Sequence, residues 1–99
     1  MNDKKMILEV SELDELRKEI DEVDEELLKT LCKRMSLVEA VGKFKKTHGL
    51  LPLDQKRWKI VLKNRVKWGN LMKLSPHFIQ NVFEAIHEEA LIIEAKHHE

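Results

Sequence analysis

The chain has 99 residues, enough for one small domain and not for two. Eighteen Lys and Arg balance 18 Asp and Glu, and this zero net charge gives no general attraction for nucleic acid or an anionic membrane. The absence of Tyr, with three Gly and two Pro, disfavours a β-rich design, and no apolar run reaches the roughly 20 residues that span a bilayer.

The N-terminal stretch MNDKKMILEV has no long apolar run or cleavage signal, so secretion is not expected. A helix start is predicted at Ser11, with Glu12 and Asp14 just after it. From there Leu13, Leu16, Ile20, Val23, Leu27, Leu31, Arg34, Val38, Val41 and Lys45 recur in helical steps. The first helix is therefore expected over about 11–48, roughly 55 Å at 1.5 Å per residue. Cys32 lies within it as a lone cysteine, which excludes an internal disulfide and fits a reducing cytoplasm. Gly49 suits a left-handed helix end, and Pro52 cannot continue the helix.

A second helix is expected over about 54–71, with Arg57, Val61, Asn64, Trp68 and Leu71 on one stripe. Ser75 followed by Pro76 is a start signal for a third, over about 75–97. Its stripe is Ile79, Val82, Phe83, Ile86, Ala90 and Ile93, with Glu94 at the edge. The expected fold is all-α, with three helices per chain, in a single domain over residues 1–99. The first helix is too long for the short remainder to cover, which predicts an intertwined homodimer.

Arg34, Lys45, Arg57 and Glu94 lie on or beside these apolar stripes. Long side chains can snorkel past a core. Buried charges, however, need partners, and Glu94 can neutralise only one of three cations. The excess points to a small anion, a dicarboxylate or a phosphate, held by Arg forks and Lys. Arg34 and Lys45 are 11 residues apart, close to three turns, so they point the same way about 16 Å apart along the axis. Arg17 lies about 25 Å down the helix from Arg34, rotated about 100° off the stripe. It can be a solvated surface residue. It can also reach a partner's ligand if the long helices pair antiparallel about a twofold axis near Leu27 to Leu31.

The stretches "LDELRKEIDEVDEELLKTLCKRMSLVEAVGKFKK", "LPLDQKRWKIVLKNR" and "LSPHFIQNVFEAIHEEALIIE" resemble the all-helical chorismate mutases, the AroQ class. The likeness runs from Leu13 to Glu94, and "LRKEID", "KRM", "GKFK" and "AIHEE" carry it together. It implies a domain-swapped dimer that rearranges chorismate to prephenate in phenylalanine and tyrosine biosynthesis. This pericyclic reaction requires no metal and no cofactor, so catalysis rests on positioning and electrostatics. Chorismate carries two carboxylates, matching the cation excess. The resemblance makes Arg34 a carboxylate ligand, Arg17 a ligand contributed by the other chain, and Lys45 a donor to the ether oxygen and a carboxylate. It places Arg57 near the substrate, Asp54 near the ring hydroxyl, and Glu94 where many members carry a Gln that donates to the ether oxygen.

Three positions depart from the common pattern. Trp58 stands where Glu is frequent and cannot supply a carboxylate to the ring hydroxyl. Ala90 stands where Ser is frequent and removes a polar contact. Glu94 replaces Gln, and an ionised carboxylate cannot donate a hydrogen bond. Activity is therefore expected to rise toward mildly acidic pH, where a protonated Glu94 can donate. Isochorismate-pyruvate lyase resembles the chain in "RM" and "FK" and is an alternative on the same fold, as is a mutase for an amino analogue of chorismate. A non-catalytic regulatory or docking dimer is an alternative of another class, although a purely structural bundle has no use for Arg17, Arg34, Lys45 and Arg57 together. Association with another shikimate-pathway enzyme is compatible with the resemblance. His87 is expected beside the site or an interface, and His97, His98 and Glu99 read as a bland frayed tail rather than a metal site.

Overall fold

A computed structural model describes residues 2–98, with side chains from 3 to 97. Its elements are α1 (Asn2–Thr47), α2 (Gln55–Leu71) and α3 (Pro76–His98). No strand occurs among the described residues. The chain divides into two units, one ending at Arg34 and the other beginning at Met35.

The first unit is the N-terminal part of α1. This helix begins upstream of the predicted Ser11 start, because Lys4, Lys5, Met6, Leu8 and Glu9 are themselves good helix formers and no breaker precedes Ser11. Every residue from 3 to 30 is exposed, including Leu13, Leu16, Ile20, Val23 and Leu27 of the predicted stripe. Ile20 keeps 58% of its surface and Val23 61%. An exposed apolar row of this kind marks an interaction face.

The second unit comprises the end of α1 with α2 and α3. α1 stops as its sequence predicts. Gly49 takes φ 68°, its N–H donates to Lys46 O (3.3 Å), and Leu50 N–H donates to Lys45 O (2.7 Å). These paired bonds satisfy the last carbonyls of the helix. α2 starts on Asp54, whose Oδ1 accepts from Arg57 N–H at 3.0 Å. It ends in the same bond pattern as α1, with Lys73 N–H donating to Asn70 O (3.0 Å) and Leu74 N–H to Gly69 O (2.9 Å). Here the left-handed residue is Lys73, at φ 65°. At the head of α3, Ser75 O accepts from Ile79 N–H at 3.0 Å, and Pro76 gives up no needed donor.

α2 and α3 meet at Gly69, where a Cβ would lie 2.6 Å from Ile79 Cγ1. Val61, Ile79 and Ala90 form the buried apolar core. The α3 stripe faces inward as predicted, with Val82, Phe83, Ile86 and Ile93 half-buried. The α2 stripe is covered only in its middle: Val61 is buried and Asn64 half-buried, whereas Arg57, Trp68 and Leu71 are exposed. Arg65 instead caps the Trp68 ring, its guanidinium 4.5 Å from the centroid. The predicted frayed tail is helical through His98, and His97 Nε2 lies 3.6 Å from Glu39 Oε1. The side chains of His98 and Glu99 lie outside the described residues.

Candidate active site

Within the second unit, the last turns of α1 run close against α3. Gly42 is buried, and a Cβ there would lie 3.1 Å from Glu94 Cα and 3.3 Å from His97 Cδ2. A Cβ at these distances is tighter than ordinary contact, so glycine lets the two backbones approach without displacing α3. Three residues on, Lys45 reaches α3. Its Nζ lies 2.6 Å from Glu94 Oε1 and 2.6 Å from Pro52 O. Both side chains are largely out of water, with 20% of Lys45 and 9% of Glu94 exposed. An ammonium carries three N–H donors, so two acceptors leave one direction for a further ligand.

Pro52 matters here through its carbonyl. The segment from Gly49 to Leu53 folds back so that this oxygen meets the ammonium. Lys45, Leu50, Leu51, Leu53, Asp54 and Lys56 line a recess at this end of the unit. Asp54 and Arg57 are joined through the α2 cap, which engages the Arg57 backbone N–H, and Arg57 is itself exposed.

Further along α3, His87, Ala90 and Glu94 follow in helical steps on one face. Ala90 is buried. The His87 imidazole stacks on the Trp58 indole, with ring centroids 3.8 Å apart and planes within 4°. Trp58 thus supplies a flat aromatic wall, half-buried, next to Arg57.

Arg34 and Arg17 belong to the first unit. Arg34 is half-buried, with Nη1 out of solvent. Arg17 is exposed over 66% of its side chain, and its Nη1 lies 3.9 Å from Asp14 Oδ1. Such an exposed pair one turn apart holds the guanidinium weakly.

The structure therefore joins Lys45 to Glu94, Asp54 to Arg57, and Trp58 to His87. Sequence reasoning missed the Pro52 carbonyl, the role of Gly42 and the partner of Trp58. The "GKFK" stretch contained a signal for Gly42, since a glycine inside a helical stripe marks close backbone approach.

The profile of the family "Chorismate mutase type II" matches residues 16–95. The chain belongs to this family. T-protein of Enterobacter agglomerans is 36% identical over 81 residues, spanning 82% of this chain and 22% of that protein. T-protein of Haemophilus influenzae is 35% identical over 78 residues, spanning 79% of this chain and 21% of that protein. The chain thus spans about a fifth of the length of these two relatives. Isochorismate pyruvate lyase of Pseudomonas aeruginosa is 28% identical over 74 residues, spanning 75% of this chain and 72% of that protein.

Proposed function

We propose that this chain is a chorismate mutase, an isomerase that rearranges chorismate to prephenate without metal or cofactor, and that it works as an intertwined homodimer. The observation that carries the reading is the largely buried Lys45–Glu94 pair at 2.6 Å, built on two helices of a chain from this family. In the reaction one C–O bond breaks as one C–C bond forms, and negative charge grows on the departing ether oxygen. An ammonium fixed beside that oxygen stabilises the transition state more than the ground state.

In this reading Lys45 donates to the ether oxygen and a substrate carboxylate. Arg34 and Arg57 take carboxylate charge, and Arg17 arrives from the partner chain. Glu94 donates to the ether oxygen when protonated. Asp54 meets the ring hydroxyl from the N-cap of α2, while Trp58 and Ala90 form the apolar wall facing the ring. Holding the reactive conformer between these groups supplies the remaining acceleration. The exposed stripe of the first unit supports the dimer, because Leu13 to Leu27 otherwise present an apolar row to water.

The test is to add chorismate to the purified chain and follow its loss and the appearance of prephenate. No turnover by a folded dimer would refute the assignment. A second reading is isochorismate-pyruvate lyase activity, favoured by a relative of that name whose length this chain largely spans. Salicylate and pyruvate formed from isochorismate, with chorismate left intact, would establish it instead.

A further inference from the structure

We propose that His87 is a positioning residue: stacked on Trp58, it holds the indole as a fixed apolar wall of the substrate site. The inference rests on the function proposed above and deepens it, because it assigns to one histidine the orientation of a residue that meets the substrate ring.

Trp58 stands on α2 and His87 on α3, so the contact joins two elements. The ring planes lie within 4° of each other and the centroids 3.8 Å apart. Both residues are half-buried. A parallel stack of this kind restrains the indole about its side-chain bonds, since rotation out of the plane gives up the face contact. One face of the indole therefore belongs to His87, and the rest of its surface is what the site can use.

The place of the stack in the fold gives it this role. On its side toward the α2–α3 turn lie the packed residues Val61, Gly69 and Ile79. On its other side, further along α3, lies Glu94 with Lys45 Nζ 2.6 Å from its carboxylate. The stack is the boundary between the core and the charged pair. His87 and Glu94 are seven residues apart, close to two turns, so they share one face of α3 about 10 Å apart along its axis. That separation suits one six-membered ring with its ether side chain. Ala90, between them, is buried and contributes a single methyl group. A methyl there cannot brace an indole, whereas the face of the imidazole does.

Steady-state kinetics with chorismate test this on the full chain, with circular dichroism and chemical denaturation checking that each variant is folded. His87→Leu fills the position with an apolar side chain that cannot stack. Its KM should rise about fivefold, the scale of an aromatic pair, while kcat stays within about twofold, because the wall meets the ring alike in the ground and transition states. His87→Phe restores a stacked ring and should return KM to near the unaltered value. In a Trp58→Ala background His87→Leu should change KM by less than about twofold, since a residue acting through Trp58 has nothing left to hold. Equal behaviour of the Leu and Phe variants would mean that the position needs only bulk, and would overturn the proposal. So would a full fivefold effect of His87→Leu that persists without Trp58. Either result would leave the mutase reading standing, whereas an unaltered chain that does not turn over chorismate would overturn both.

Discussion

The two parts of α1 carry the same periodicity and meet different fates. From Leu13 to Leu27 the stripe is apolar and exposed. From Val38 to Lys45 it is interrupted by charge, and there Gly42 and Lys45 lie against α3. A periodic pattern thus specifies a face, and its composition tells what covers that face. Leucines and isoleucines in an unbroken row await another apolar row. A lysine in the row awaits a carboxylate, first Glu94 and then, in the proposed reaction, the substrate.

The largest expected effect falls on the charged part. Lys45→Ala should lower kcat/KM for chorismate by about a thousandfold, the scale for removing a preorganised donor from a charge-developing site. Circular dichroism should show helices retained, which separates lost chemistry from lost fold. On the apolar part, if the proposed dimer forms, Leu16→Glu with Ile20→Glu should give a monomer by sedimentation and abolish turnover, since each proposed site would then lack the partner's Arg17. A monomer that keeps full activity would break the distinction between the two parts.

Next in size is Gly69→Ala. Its Cβ would meet Ile79 Cγ1 at 2.6 Å, and that methylene, next to the branched Cβ, is not the far end of a flexible side chain. Overpacking of this kind costs about 1–3 kcal/mol and should appear as a lowered denaturation midpoint. Glu94→Gln sharpens the charged part further. A carboxylate cannot donate a hydrogen bond and an amide can, so Glu94→Gln should raise kcat/KM for chorismate at neutral pH, read by steady-state kinetics. Unchanged kinetics would remove Glu94 from the mechanism. The smallest effect is expected at Lys73, whose φ of 65° disfavours a residue with a Cβ. Lys73→Gly should stabilise the fold by about 0.5–1 kcal/mol, read from chemical denaturation, with activity unchanged.

What the sequence made legible was local. Gly49 and Pro52 mark the end of α1, and Ser75 with Pro76 marks the start of α3, because each residue type has a backbone preference that acts without neighbours. The inward face of α3 was legible from its unbroken period. The start of α1 was not, since the cap signal at Ser11 competes with a run of helix formers before it. The left-handed turn at Lys73 carried no glycine to announce it. Lys45 and Glu94 were both visible as charges out of place, but the Pro52 carbonyl that shares the ammonium depends on how the loop folds back. The Trp58–His87 stack depends on where two helices cross, and no spacing within either helix encodes that.

The most direct test of the central claim, one site built from two chains, mixes Arg17→Ala protein with Lys45→Ala protein and allows subunits to exchange. Each mixed dimer would hold one site with both residues intact and one with neither. Equal mixing should therefore restore about a quarter of the unaltered activity from two nearly inactive proteins, given random pairing in a twofold dimer. No recovery, with exchange demonstrated by mass, would contradict it.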